Sequence, residues 1–105
     1  MTIRINNLYS KSLLVGQRFN GTFTKITIYS TSICAACHAL EQWLDKNKQP
    51  YDKRITDTDP AIMDEFMAVN DGYVGVPFTV IEKDDGTIIK IPGFDQSKFR
   101  KALSF

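Results

Sequence analysis

Two cysteines stand three residues apart where an alternating run gives way to a helical one, and that junction constrains the fold more than any other feature. Lys25–Tyr29 (KITIY) alternates Ile26 and Ile28 with Thr27 and Tyr29, the β-branched and aromatic pattern of a strand. Ser30-Thr31-Ser32 breaks the pattern. From Cys34 onward Ala35, Ala36, Leu40, Trp43 and Leu44 follow helical spacing, with Glu41, Gln42, Asp45 and Lys46 on the other side. Pro50 ends that helix at the latest, because proline cannot continue it.

The same alternation of periods runs on through the chain. Asp52–Thr56 is a short second strand, and Asp59-Pro60 supplies the cap and first position of a second helix. Ile62, Met63, Phe66, Met67 and Val69 give that helix an apolar face, with both methionines expected in the core, and Asp71-Gly72 ends it. Phe78–Glu82 and Thr87–Ile91 are strands joined through Asp85-Gly86, a strong hairpin signal that makes them antiparallel. Asp95 caps a last helix carrying Phe99, Ala102 and Leu103 on one face, with Phe94 and Phe99 placed as a hydrophobic staple. The expected architecture is therefore α/β, in the order β-α-β-α-β-β-α, with helices on both faces of the sheet. Both strand–helix–strand steps are expected to be right-handed parallel crossovers, with the hairpin as an antiparallel edge.

Composition excludes several classes. The chain has 105 residues, room for one domain, and its 43% hydrophobic content is that of an ordinary globular protein. Its net charge of +1 offers no case for nucleic acid. The longest aliphatic run of the first half, Leu13-Leu14-Val15, is far too short to cross a bilayer. Charge is unevenly placed: residues 1–24 carry Arg4, Lys11 and Arg18 with no acidic residue, and the rest nets −2. Residues 1–24 are expected to be an N-terminal extension on a domain of residues 25–105. They lack the apolar core of a secretory signal, share an acid-free character with organellar transit peptides, and are expected to form an edge strand around Thr2–Ile5 followed by a turn or short helix.

Cys34 and Cys37 are the only cysteines. A loop that short restricts the unfolded chain by only about 2 kcal/mol when closed, so the pair is poorly placed as a structural staple and well placed as a reversible dithiol. At a helix start, free N–H groups and the positive end of the macrodipole favour the Cys34 thiolate, the nucleophile of disulfide exchange. Cys37, one turn in, is expected to be more buried and within reach of a mixed disulfide on Cys34. Cys34 thus attacks and Cys37 resolves.

Other chemistry remains open at this point. Cys34-Ala-Ala-Cys37-His38 also matches the c-type haem attachment pattern, which requires an exported chain. Cys34, Cys37 and His38, the sole histidine, are part of a soft ligand set, so a metal or iron–sulfur cluster held at a subunit interface through Cys34 is the alternative. His38 itself is expected on the helix surface, pointing away from Cys34.

From Lys25 to about Leu103 the chain resembles the glutaredoxins of the thioredoxin fold, and among them the redoxins that donate electrons to ribonucleotide reductase. The resemblance rests on Ile26–Tyr29 leading into Cys34-Ala-Ala-Cys37, on Gly72-Tyr73-Val74-Gly75-Val76-Pro77, and on Pro92-Gly93-Phe94-Asp95. It implies a thiol–disulfide oxidoreductase with Cys34 and Cys37 catalytic, and with Thr31, Val76, Pro77, Gly93, Phe94 and Asp95 as substrate or glutathione contacts. Pro77 would be a cis proline facing the cysteines, and Val76 would offer its backbone to an extended substrate. Glutathione-using relatives have Pro-Tyr between the cysteines and a lysine where Thr31 stands. Their loop of two glycines and two aspartates becomes Pro92-Gly93-Phe94-Asp95-Gln96. A missing cation weakens the grip on the two carboxylates of glutathione. The resemblance also implies no bound cofactor, electrons from glutathione or from thioredoxin reductase and NADPH, a protein disulfide substrate with ribonucleotide reductase as the candidate, a monomer, and the cytoplasm.

Overall fold

A computed structural model of the chain describes residues 24–104. The expectations for the extension, the edge strand at Thr2–Ile5 among them, lie outside the described residues. In chain order the elements are β1 (Thr24–Ser30), α1 (Ala35–Lys46), β2 (Asp52–Ile55), α2 (Pro60–Val69), β3 (Phe78–Lys83), β4 (Ile88–Pro92) and α3 (Gln96–Leu103). This is the expected order, and the strands form one sheet arranged β2-β1-β3-β4.

The helices cover both faces, because alternate strand residues point to opposite sides. Ile26, Ile28, Ile81 and Ile91 pack with Leu40 and Leu44 of α1 and with Phe99 and Ala102 of α3. Tyr29, Phe78 and Val80 pack on the other face against Phe66 of α2, with Ile62 and Val69 partly buried beside them. The three helix starts are capped by Cys34, by Asp59 with Pro60 behind it, and by Asp95. Phe94 and Phe99 meet edge to face at 6.3 Å, the expected staple.

One expectation about topology is corrected. β1 and β2 are parallel, as a strand–helix–strand step requires, with Thr27 beside Asp52 and Ser30 beside Ile55. β3, however, runs antiparallel to β1, with Tyr29 opposite Phe78 and Ile26 opposite Ile81. The chain leaves β2 at Ile55, beside the end of β1, and re-enters the sheet at Phe78, also beside the end of β1. The connection through α2 thus starts and finishes at the same end of the strands while passing from β2 across β1 to β3. A strand entered from the end at which the previous one left must run the opposite way. The hairpin follows as expected, with the Gly86 N–H on the Lys83 carbonyl at 3.0 Å and Gly86 at φ 92°, a conformation glycine adopts without a Cβ penalty.

Burial departs from the apolar pattern at two places. Met63 and Met67 are exposed rather than core, at 37% and 55%. The stripe that faces the sheet is Ile62, Phe66 and Val69, and the methionines lie on its flank. In α1, Ala35 and Ala36 are exposed while Glu41, expected outside, is buried, its carboxylate 3.3 Å from the Lys53 ammonium of β2. Among the described residues no helix is long and apolar enough to cross a membrane.

Candidate active site

The five-residue step from Ser30 to α1 sets the geometry of the cysteines. Cys34 is the N-cap of α1, in an extended conformation with φ −158° and ψ 101°, and its Sγ accepts the Cys37 N–H at 3.1 Å. An N-cap acceptor satisfies one of the free donors at a helix start, normally a task for an oxygen side chain. Here sulfur does it, and on reduction the same N–H and the helix dipole stabilise a Cys34 thiolate. The two sulfurs are joined as a disulfide, with Cα atoms 5.3 Å apart. Their exposure is unequal: Cys34 is half-buried, whereas Cys37 is 1% exposed.

The sheet register brings the second expected segment to the same edge. Tyr29 lies opposite Phe78, and Phe78 opposite Pro92, so Pro77 sits between the ends of β1 and β4. Its carbonyl accepts the Gly93 N–H at 2.8 Å, and the Val76–Pro77 peptide is cis. Pro77 is buried and Val76 half-buried. Among the described residues neither the amide nor the carbonyl of Val76 has a hydrogen-bond partner. A free backbone edge of this kind is what an extended segment pairs with.

The other expected contacts are placed differently. The Thr31 hydroxyl donates to the Ile33 carbonyl at 3.1 Å and so serves its own loop. Phe94 turns its ring onto Trp43 at 5.9 Å and onto Phe99, joining the α1–α3 packing. The Asp95 carboxylate is engaged by the Ser97 hydroxyl at 2.7 Å and by the Ser97 and Lys98 amides, and these bonds, the Ser97 hydroxyl first, hold its carboxyl below the usual range. His38 lies on the helix surface as expected, its Nδ1 3.9 Å from the Glu41 carboxylate. Among the described residues no three His, Cys, Asp or Glu side chains gather as a metal site.

Two arrangements at this edge have no sequence signal. The Asp57 carboxylate, just past β2, accepts the Ser32 N–H at 3.0 Å and the Ser32 hydroxyl at 2.7 Å. The partners are 25 residues apart, so no local pattern announces them. On the α2 face, the Tyr29 hydroxyl donates to Glu65 at 2.5 Å while Arg54 grips the same carboxylate at 2.6 and 3.2 Å. Arg54, and then Tyr29, lower the Glu65 carboxyl; burial, and then Glu65, push the Tyr29 phenol far above its ordinary value. This network ties α2 to β1 one residue before Ser30.

Among solved structures, the glutaredoxin from Methanosarcina mazei Go1 is similar with a TM-score of 0.63 at 24% identity, over 77% of this chain and 79% of that one. A mutant of the thioredoxin-like protein BC3987 is similar with a TM-score of 0.60 at 24% identity, over 75% of this chain and 94% of its own. At that identity both show the fold. No curated protein matches the sequence. The family model described as Glutaredoxin matches residues 26–85, from within β1 through both cysteines and Pro77 to the hairpin turn. The chain belongs to the glutaredoxin family, and with its cysteine pair at the strand–helix junction it is a thiol–disulfide oxidoreductase.

Proposed function

We propose that residues 25–105 carry out a two-cysteine exchange that reduces protein disulfides. The Cys34 thiolate attacks one sulfur of a substrate disulfide, forming a mixed disulfide and releasing the first substrate thiolate. The Cys37 thiolate then attacks the Cys34 sulfur, releasing the second substrate thiolate and closing the Cys34–Cys37 disulfide. An external dithiol reopens it with two electrons and two protons. One observation carries this assignment. Of two sulfurs sharing one helix start, Cys34 accepts the helix N–H and is reachable, while Cys37 is 1% exposed. An incoming disulfide meets Cys34 first.

A protein is favoured as the substrate over glutathione. Thr31 offers no cation and spends its hydroxyl on Ile33, and the Asp95 carboxylate is committed to capping α3. The unpaired backbone of Val76 suits an extended polypeptide lying along the Pro77 segment. Ribonucleotide reductase is the candidate substrate, thioredoxin reductase with NADPH the electron source, and the working form a cytosolic monomer with no resident cofactor.

The test is NADPH consumption during insulin reduction, with thioredoxin reductase alone or with glutathione plus glutathione reductase. Turnover is expected with the first system, and turnover confined to the second overturns the electron source. Cys34→Ser is expected to abolish attack on the disulfide, whereas Cys37→Ser is expected to trap the mixed disulfide. Full activity in Cys34→Ser with loss in Cys37→Ser reverses the roles.

A further inference from the structure

The segment that presents Cys34, Thr31–Ile33, leaves the sheet before α1 begins, so no ladder holds it. Among the described residues two of its four hydrogen bonds are local: the Ser30 hydroxyl reaches the Thr31 carbonyl at 3.2 Å, and the Thr31 hydroxyl reaches the Ile33 carbonyl at 3.1 Å. Bonds across one or two residues shape the segment without anchoring it. Its anchor to a distant part of the chain is Asp57, whose two carboxylate oxygens take the Ser32 N–H at 3.0 Å and the Ser32 hydroxyl at 2.7 Å. The residue before Asp57 is itself fixed, since both the N–H and the hydroxyl of Thr56 donate to the Ser30 carbonyl, at 2.9 and 3.1 Å. Asp57 therefore projects from a fixed point and grips the segment two residues ahead of Cys34.

We propose that Asp57 is a positioning residue for the exchange, acting through Ser32 to keep Cys34 on the N-cap of α1 when the disulfide is open. This rests on the two-cysteine reading above. In the oxidised chain the bond to Cys37 restrains Cys34 whether or not the Asp57 contact exists. In the dithiol that covalent restraint is gone, and the contact to Ser32 keeps the thiols preorganised. Without it the reduced segment gains conformational freedom that must be lost again on closure. The Cys34–Cys37 disulfide then forms less readily.

The measured quantity is the equilibrium between the dithiol with glutathione disulfide and the protein disulfide with two glutathione thiols, an exchange balanced in electrons and protons. The full chain is equilibrated in glutathione buffers, quenched with acid, alkylated and weighed by mass spectrometry. Asp57→Ala is expected to lower the constant for disulfide formation about three- to tenfold, the scale of one net hydrogen bond. Asp57→Asn removes the charge but can accept the Ser32 N–H and hydrogen-bond the hydroxyl, so it is expected to stay within about twofold of the parent. Ser32→Ala, which keeps the amide bond and loses the hydroxyl bond, should fall between.

A contact that merely stabilises the fold weakens both redox forms alike and leaves this constant unmoved, so an unchanged Asp57→Ala constant overturns the proposal. An Asp57→Asn constant as low as that of Asp57→Ala also overturns it, because charge and not anchorage would then be responsible. If the parent pair itself fails to exchange with glutathione disulfide, the two-cysteine reading fails first, a result separate from either of these.

Discussion

Removing the carboxylate of Glu65 tests how α2 is held at the active-site edge. Tyr29 is 4% exposed, and its hydroxyl has Glu65 as its partner at 2.5 Å. In Glu65→Ala that hydroxyl becomes a buried donor without an acceptor, which costs about 1–3 kcal/mol. The Arg54–Glu65 pair is lost as well, but its side chains are 34% and 37% exposed, and at such exposure an ion pair contributes about 0–1 kcal/mol. The expected total is about 2 kcal/mol, dominated by the orphaned hydroxyl. For a domain of this size that lowers the melting midpoint by roughly 10 °C.

Tyr29→Phe supplies the control. It deletes the hydroxyl without stranding a donor, leaves Glu65 paired with Arg54, and is expected to cost about 1 kcal/mol. In the double variant nothing is orphaned, so it should be more stable than the sum of the single effects predicts, by about 1 kcal/mol. Urea unfolding with the disulfide kept closed, followed by Trp43 fluorescence and by far-ultraviolet circular dichroism, reads all four proteins. Additivity within about 0.5 kcal/mol refutes the reasoning, because it means the hydroxyl finds water once the carboxylate is gone.

Leu44→Ala, at 0% exposure between the sheet and α3, should cost about 2–5 kcal/mol by urea unfolding, with the slope against denaturant unchanged. Asp95→Ala removes the cap of α3 and should cost about 1 kcal/mol by the same measurement, with Asp95→Asn close to the parent. Stability should fall at both ends of the pH scale. The carboxyls of Asp57, Glu65, Asp85 and Asp95 are held below their ordinary values by hydrogen bonds, so the unfolded chain takes up protons first. Their contribution is complete above the ordinary carboxylate range of about 4 and is lost as pH falls below it. Tyr29 is shifted upward, so its contribution is complete below the ordinary phenol value of about 10 and is lost as pH rises beyond it. Thermal unfolding across pH checks both signs.

Periodicity and punctuation in the sequence were enough to place the strands and helices in order, because each rests on neighbours in the chain. Asp59-Pro60 and Asp95 open their helices, Gly86 turns the hairpin, and Cys34 caps α1, all through bonds spanning four residues or fewer. The same locality made the cysteine pair at the strand–helix junction and the cis Val76–Pro77 peptide legible, since each motif is contiguous. Thr31, Phe94 and Asp95 are each engaged within the fold, and for Phe94 no such motif decides it, because whether a ring faces a cleft or a core depends on what stands opposite, here the rings of Trp43 and Phe99.

What only the tertiary structure decided is direction, flank and long-range partner. The periodicity of α2 does not say at which end of the strands the chain re-enters the sheet, and that choice turned β3 antiparallel to β1. An apolar count does not say that Ile62, Phe66 and Val69 face the sheet while Met63 and Met67 do not. Nor does any local pattern join Ser32 to Asp57, or Tyr29 to Glu65 and Arg54. The physical reason is common to all three. A strand or a cap is stabilised by contacts near in the chain, whereas crossing direction, burial and a carboxylate's choice of donor are settled by surfaces that meet only after the chain has folded.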